Sequence, residues 1–169
     1  MLVLKFGGTS VGSAENINNV ISILEEKSKQ SKLVCVVSAV GGITDKLLKA
    51  GHLAQQKNES YLSIFKEVKT VHFNIIDELI PNRSDSISEH LESKFNGLKS
   101  LLDGIYLINE LSPKTTDKLV SYGELLSSYL ITRTMQSRKM DVELKNSQDL
   151  IVTNSNFTKA EVNYNLTNE

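Results

Sequence analysis

The sequence predicts an α/β protein, a three-layer α/β/α sandwich around a mainly parallel sheet, of which this chain forms a truncated part. Two observations lead to this class. Short apolar runs at 2–6 and 33–37 have the length and the flanking turn residues of strands. An amphipathic helical pattern lies between them, and a strand–helix–strand unit places its two strands in parallel through a crossover connection.

The first elements follow from their apolar spacing. The run Leu2–Phe6 ends at a glycine pair and predicts a buried strand. A helical face comes next, at spacing i, i+3, i+4 and i+7, formed by Ile17, Val20, Ile21 and Leu24. Leu33–Val37 is rich in β-branched residues and predicts a second buried strand. Cys35 lies within it, and we expect a small buried residue there rather than a reactive thiol.

Three helices are predicted after the second strand. The first begins near Thr44, which we expect to cap it, and carries Leu47, Leu48 and Leu53. Two long helices follow, the first ending before Pro81 and the second at a break predicted for Asp103-Gly104. Their apolar faces are Tyr61, Phe65, Val68, His72, Ile75 and Leu79, and Ile87, Leu91, Phe95, Leu98 and Leu102.

The last third of the chain is predicted to begin with a helix. Ser112 and Pro113 are typical of an N-cap and a first turn, and we expect the helix to run, with a break at Gly123, to Met135. Residues 140–144 and 150–152 predict two more strands. The tail 153–169 is polar and has little pattern.

Charge and composition exclude several classes of function. The chain has 169 residues, and 19 Lys plus Arg against 20 Asp plus Glu give a net charge of −1. Nucleic-acid binders concentrate basic charge, so no nucleic-acid partner is predicted. No apolar stretch approaches the roughly 18 residues of a membrane span, and the first residues show no leader pattern. We therefore expect a cytoplasmic protein without a membrane partner.

The first candidate site is the glycine turn Lys5-Phe6-Gly7-Gly8-Thr9-Ser10 at the end of the first strand. Glycines let a ligand approach the backbone closely, and amides at a helix start attract anions. Lys5 alternates with Leu4 and Phe6 and should point away from both. It is either a solvated strand-end residue or a charge directed into the site. The spacing matches neither a Walker loop, because Ser13-Ala14 replaces Lys-Ser/Thr, nor G-x-G-x-x-G.

A second glycine turn, Ser38-Ala39-Val40-Gly41-Gly42-Ile43-Thr44, follows the second strand. Ligands of open α/β sheets bind outside the carboxyl ends of the strands. Two glycine turns after consecutive parallel strands would lie on that same edge. Together they predict a site for an anionic ligand.

The third candidate is Glu124, within Ser121-Tyr122-Gly123-Glu124. It is either an ordinary helical glutamate or a carboxylate that meets a positive group, such as a substrate ammonium. No metal site formed by protein side chains is predicted. The histidines are scattered, without H-E-x-x-H spacing, and His72 lies on an apolar helix face where a core or boundary position is expected. These histidines are His52, His72 and His90.

The three motifs together resemble those of the aspartokinases, members of the amino acid kinase family. The segments occur in the family order and at family-like spacing over essentially the whole chain. They are Lys5-Phe6-Gly7-Gly8-Thr9-Ser10-Val11, Val36-Val37-Ser38-Ala39 with Thr44, and Ser121-Tyr122-Gly123-Glu124. The stretch 102–107, with Leu111-Ser112-Pro113, further resembles the bifunctional aspartokinase–homoserine dehydrogenases.

The resemblance implies a kinase that uses ATP and Mg²⁺ to phosphorylate the β-carboxylate of L-aspartate, giving 4-phospho-L-aspartate. This reaction is the first step towards lysine, threonine and methionine. It also implies that Lys5 is catalytic and neutralises charge on the transferring phosphoryl group, and that Gly7, Gly8 and Ser38 line the phosphate path. The aspartate-binding residues would be Thr9, Ser10, Thr44 and Glu124, with Glu124 facing the α-ammonium. A homo-oligomer is implied for the full-length enzyme.

The sequence departs from the family pattern in its extent. Residues 1–169 resemble the N-terminal, acceptor-substrate part of the catalytic domain, and 149–165 resembles the lead-in to the second half. The nucleotide-binding half, with its Gly-Arg-Gly-Gly-Ser-Asp-like loop and aspartate-binding arginine, is not found, nor are regulatory or dehydrogenase domains. We therefore expect a fragment that is inactive or nearly so and exposes an apolar edge. A smaller departure is Leu125, where many relatives have a basic residue.

Two other functions remain open. Another kinase of the same superfamily would share the fold and use a different acceptor, although the motif Ser121–Glu124 argues against it. A short binding or regulatory module without catalysis would fit the polar C-terminal segment.

Overall fold

The structure, a computed structural model, describes residues 1–168. Within them, two strands and six α-helices form. The strands are β1, Leu2–Phe6, and β2, Leu33–Val37. The helices are α1, Ala14–Ser28; α2, Ile43–Gln55; α3, Tyr61–Leu79; α4, Asp85–Ile108; α5, Pro113–Ser137; and α6, Tyr164–Thr167.

The two strands pair in parallel, in the register Leu2↔Leu33 to Phe6↔Val37, so the predicted strand–helix–strand unit is confirmed. One sheet face packs against the core through Leu4, Phe6 and Val37. The other face is exposed, and its apolar side chains are Val3, Val34 and Val36, which are 57%, 43% and 47% exposed. The prediction of two buried strands was therefore wrong, because a strand in a parallel sheet is buried only where helices cover both faces.

Cys35 lies in β2 opposite Leu4 and is exposed, so its predicted burial was wrong as well. Its thiol is nevertheless partly desolvated, which raises the pKa of Cys35 to about 11. A thiol with that pKa is almost fully protonated near neutral pH, and the thiolate is the reactive form. The raised pKa, and not burial of the residue, therefore agrees with an unreactive cysteine.

The core lies mainly among the long helices. Helix α2 contacts α3, α4 and α5, and α1 and α5 contact β2. The side chain of Phe95 is fully buried at the centre, where the rings of Phe65, Phe73 and His72 lie around it. His72 is fully buried, which confirms the core position expected for it.

Helices α3 and α5 begin or end where the sequence predicts. Helix α3 ends at Leu79, two residues before Pro81. Helix α5 starts at Pro113, and the Ser112 side chain caps it by accepting a hydrogen bond from the backbone N–H of Thr115. The Ser112 cap satisfies a backbone N–H of the first turn of α5. Helix α3 ends before Pro81, which has no N–H to continue the helical hydrogen bonds.

The predicted helix breaks at Gly104 and Gly123 were wrong. Helix α4 continues to Ile108 and ends at Asn109 in a left-handed conformation, with φ of 61°. Helix α5 is continuous through Gly123. A glycine costs a helix about 1 kcal/mol relative to alanine. Buried side chains in the adjacent turns outweigh that cost: Leu102 and Ile105 near Gly104, and Leu119 and Leu126 near Gly123.

The strands predicted at 140–144 and 150–152 do not form. Both segments lack regular structure; a short 3₁₀ turn spans Ser147–Asp149, and one isolated antiparallel bridge joins Thr153 to Val162. An apolar run forms a strand only where a neighbouring strand can pair with its backbone N–H and C=O groups. These two runs pair with no sheet strand in the described residues. None of the helices in residues 1–168 combines the length and apolar character needed to cross a membrane.

Candidate functional site

The two glycine turns meet at the carboxyl ends of β1 and β2, as the sequence predicts. A Cβ built on Gly8 would lie 3.0 Å from the backbone oxygen of Ala39, and one built on Gly41 would lie 3.3 Å from the oxygen of Gly8. A Cβ on Gly12 would also lie 3.3 Å from that oxygen. The backbones therefore approach each other more closely than side chains would allow, which explains the glycines at these positions.

The first turn carries its hydroxyl side chains outward. After β1, a 3₁₀ turn spans Gly8–Val11, and the backbone N–H of Ser10 donates to the oxygen of Gly7 at 2.9 Å. Thr9 and Ser10 are exposed. They line an open hollow of about 330 Å³ together with Phe6 and Asn16. The hollow is shallow, and Asn19, Val20 and Ile23 of α1 form the rest of its lining.

Asn16 holds this turn in place. Its side-chain Nδ2 donates to the backbone oxygen of Thr9 at 2.9 Å, and its backbone N–H donates to the Ser13 side chain at 3.2 Å. Helix α1 is thereby joined to the turn that precedes it. The sequence analysis missed Asn16, and the only signal for it is its position three residues after the N-cap Ser13.

Lys5 lies on the exposed face of the sheet, opposite to Leu4 and Phe6 as the strand alternation predicts. Its Nζ lies 3.9 Å from the position of a Cβ built on Gly7, so the ammonium is close to the first glycine turn. In residues 1–168, none of the ion pairs includes Lys5. The charge is therefore available to an anion at this turn.

The second turn leads into helix α2. The backbone N–H of Ser38 donates to the oxygen of Phe6 at 3.1 Å, which ties the turn to the end of β1. Gly42 is the N-cap of α2 and has a left-handed φ of 76°, a conformation that favours glycine. Thr44 lies in the first turn of α2 and is half-buried. The prediction that Thr44 caps the helix was wrong, because Gly42 precedes it as the cap and no side chain supplies a capping bond.

The third motif lies directly against the second turn. Glu124 Oε1 accepts a hydrogen bond from the backbone N–H of Ala39 at 3.3 Å, and Ser127 Oγ donates to the oxygen of Ser38 at 2.7 Å. Glu124 is exposed, whereas Ser127 is fully buried. Leu125 is half-buried. Segments 85 residues apart are therefore joined at the point where all three motifs converge.

The charges and donors at this edge of the sheet suit a small molecule with groups of both signs. The ammonium of Lys5 and the backbone amides of the two glycine turns can stabilise an anion, and the start of α2 adds the positive end of a helix dipole. The carboxylate of Glu124 can hold a cation. Hydroxyl groups that can donate to or accept from a ligand are supplied by Thr9, Ser10, Ser38 and Thr44.

The chain is an α/β protein in which glycine turns follow the carboxyl ends of two parallel strands. The model of the family described as "Amino acid kinase family" matches residues 1–167, so the chain belongs to that family. The sequence is 32% identical over 151 residues to the bifunctional aspartokinase/homoserine dehydrogenase 1, chloroplastic, of Arabidopsis thaliana, with 89% of this chain and 16% of that protein covered. It is 34% identical to aspartokinase 1, chloroplastic, of the same plant, with 95% of this chain and 28% of that protein covered.

A solved structure confirms the fold class. The crystal structure of E. coli aspartokinase III in complex with aspartate and ADP superimposes with a TM-score of 0.84 at 27% identity, covering 98% of this chain and 35% of that chain. The same enzyme in complex with lysine and aspartate gives a TM-score of 0.85. The chain thus spans between about a sixth and about a third of the length of these relatives.

Proposed function

We propose that this chain is the N-terminal, acceptor-substrate part of an aspartokinase catalytic domain, which transfers the γ-phosphoryl group of ATP to the β-carboxylate of L-aspartate. The observation that carries the proposal is the convergence of the three motifs. Gly8 packs on Gly41, and Glu124 accepts a hydrogen bond from Ala39. Relatives named aspartokinase, and a structural relative solved with aspartate and ADP, support the choice of acceptor and donor.

The reaction has an electrostatic problem, because both reactants are anions. At about 4 Å and an effective dielectric constant of about 20, each pair of unit charges repels by about 4 kcal/mol. Catalysis of phosphoryl transfer therefore depends on positioning and on cancelling charge. Lys5 would neutralise charge on the transferring phosphoryl group, and Gly7, Gly8 and Ser38 would line the path of the phosphates. The available ammonium of Lys5 beside the first turn supports this assignment.

The described residues at this edge of the sheet fit the phosphate groups of ATP, whereas they do not form a binding site for a metal ion on their own. Gly8 and Gly41 pack closely and have no side chains to cover their own amides, and such amides suit phosphate oxygens. In the part of the chain that the structure describes, no three His, Cys, Asp or Glu side chains form a group that could hold a metal ion. Mg²⁺, which would neutralise further phosphate charge, is therefore proposed to enter with ATP, since it is usually bound through substrate phosphates and few carboxylates.

The acceptor would bind between the first turn and helix α5. One oxygen of Glu124 accepts from Ala39, and its exposed side chain leaves the second oxygen for the α-ammonium of aspartate. The hydroxyl groups of Thr9, Ser10 and Thr44 would bind the carboxylates. The proposal includes a nucleotide-binding half outside residues 1–169, so we expect these residues alone to be inactive or nearly so. The complete enzyme is proposed to be a cytoplasmic homo-oligomer.

The first experiment uses the complete natural gene product with L-aspartate, MgATP and hydroxylamine, which converts an acyl phosphate into a hydroxamate. We expect aspartyl hydroxamate from the wild type, and in Glu124→Ala either its loss or a KM for aspartate raised about 100-fold or more, since removing one partner of a charge pair that the bound substrate takes out of water costs about 2–5 kcal/mol. Glu89→Ala, which removes an exposed carboxylate from α4, is the matched control and should behave as wild type. A folded gene product that forms hydroxamate only with another carboxylic acceptor would assign the chain to a different kinase of this family. One that forms none with any acceptor would favour a non-catalytic module.

A further inference from the structure

Ser127 is a buried hydroxyl group that the three sequence motifs do not include. Its side chain is fully buried in helix α5. Its Oγ donates to the backbone oxygen of Ser38 at 2.7 Å, across 89 residues of sequence, and also lies 3.3 Å from the oxygen of Glu124 in its own helix. The shorter contact therefore leaves the helix and reaches the second glycine turn.

The peptide that joins Ser38 to Ala39 is held at both of its polar groups. Ser127 donates to its carbonyl oxygen, and Glu124 accepts from its N–H at 3.3 Å. The methyl group of Ala39 packs against Gly123, where an added Cβ would be only 2.7 Å away. Three contacts from one helix, made by Gly123, Glu124 and Ser127, thus fix the orientation of a single peptide unit. This peptide follows Ser38 directly and precedes Gly41 by two residues, so its orientation affects both ends of the second turn.

Other hydroxyl groups of α5 show that this contact is not a general property of the helix. Thr134 is also fully buried, yet its Oγ1 donates to the oxygen of Leu130, one turn earlier in its own helix. Ser128 does the same with Glu124 at 2.7 Å. A hydroxyl that bonds its own helix needs no partner elsewhere. Ser127 is the hydroxyl whose removal would leave a half-buried carbonyl of the second turn, that of Ser38, without this donor.

We propose that Ser127 is a positioning residue for phosphoryl transfer, which acts by holding the Ser38–Ala39 peptide so that Ser38 and the backbone of the second turn face the phosphates. This inference rests on the proposed function for the role of Ser38. Its structural part, the clamp on the peptide, stands on the contacts of Ser127 and Glu124 alone. The experiment therefore has one readout that needs no activity and one that does.

The first readout is amide hydrogen exchange at Ala39, measured by NMR on this chain. We expect Ser127→Ala to raise the exchange rate of the Ala39 amide about tenfold or more, with core amides such as that of Phe95 unchanged, since a local opening leaves the rest of the fold protected. Thr134→Ala removes an equally buried hydroxyl from the same helix and should leave Ala39 unchanged. Ser127→Cys, which replaces the hydroxyl with a slightly larger and weaker donor, should give an intermediate rate. Unchanged exchange in both Ser127 variants would overturn the clamp.

The second readout is kinetic and uses the complete gene product. We expect Ser127→Ala to lower kcat by about 10- to 100-fold, because small misplacements of reacting groups have effects of that size. In a Ser38→Ala background the same substitution should add less than about threefold, because contacts that act through one another are not additive. A merely structural role would give effects that multiply, which would overturn the inference. A wild type that forms no hydroxamate overturns the proposed function instead, and the exchange rate at Ala39 then decides the clamp alone.

Discussion

Gly123 lies so close to Ala39 that a Cβ built on the glycine would be 2.7 Å from the Cβ of the alanine. The same added atom would contact Ile43 and Leu47 at 3.7 Å. Neither Cβ can move by rotation of a side chain, so the helix and the turn can be this close only while residue 123 is glycine. The glycine therefore sets the distance at which Glu124 and Ser127 reach the second turn.

Replacing this glycine should separate the helix from the turn. We expect Gly123→Ala to lower the free energy of unfolding by about 1–3 kcal/mol, the usual cost of overpacking, and to reduce kinase activity. Gly104→Ala is the control, because nothing lies within 4 Å of its added Cβ and it is also inside a helix. That change should stabilise the protein by about 0.5–1 kcal/mol. Urea denaturation of both variants checks this, and an equal gain in both would show that position 123 has room.

Lys5 should act on turnover more than on acceptor binding. If its ammonium neutralises charge that develops during transfer, Lys5→Ala in the complete gene product should lower kcat by about 10²–10³-fold, as loss of such a contact does elsewhere. The KM for aspartate should change less than about twofold. Lys32→Ala, at an exposed position before β2, is the control. Wild-type turnover in Lys5→Ala would refute the phosphoryl role.

Much of the site could be predicted because its signals are local. A glycine turn directly after an apolar strand is visible within six residues, and the alternation in β1 gives the side of the sheet on which Lys5 lies. The contacts that join the motifs could not be predicted in this way. Asn16 and Ser127 both bond backbone oxygens, at Thr9 and at Ser38, and a backbone acceptor leaves no residue type in the sequence to identify it.

Most of the failed predictions have a common physical cause. Strand burial, the burial of Cys35 and the strands at 140–144 and 150–152 all depend on which neighbours cover or pair with a segment, and local pattern does not contain that information. The helix breaks expected at Gly104 and Gly123 failed for a different reason, because there the local signal is present but weak. A local preference of about 1 kcal/mol gave way to tertiary packing, at Gly123 because the close contact requires a glycine.

The stability of the protein should fall on mild acidification because of His72. Burial lowers the pKa of His72 below its ordinary value of 6.5, against a smaller opposing effect of its hydrogen bond to Val68, and its Nε2 has no partner in the described residues. The folded protein thus keeps this imidazole neutral while the unfolded chain takes up a proton. As pH falls below about 6.5, the free energy of unfolding should drop by up to about 1.4 kcal/mol per pH unit until the lower folded pKa is reached.

A second histidine contributes in the same direction and must be separated from the first. Burial, followed by the charges of Lys94 and Arg133, lowers the pKa of His90, which is exposed and stacks on Tyr129, so solvent screening reduces its share. The free energy of unfolding, measured with urea between pH 7 and pH 5, should therefore lose most of its pH dependence in His72→Gln. The loss should be smaller in His90→Gln. His52→Gln, at an exposed position, is the control. A wild-type pH dependence in His72→Gln would exclude His72 as the source.

The uncovered face of the sheet should make this chain associate with itself. Val3, Val34 and Val36 form an apolar surface on β1 and β2, and both strands are edges of the sheet within the described residues. Exposed apolar surface on strands with unpaired edges favours association. We expect sedimentation of this chain at micromolar concentration to show dimers or larger species that bind a hydrophobic dye, and Val34→Lys to reduce both signals. Leu107→Lys changes a more exposed apolar residue, 73% accessible at the end of α4, and should leave both signals unchanged. A wild-type chain that is monomeric and binds no dye would contradict this expectation, because the same three valines would then face water without consequence.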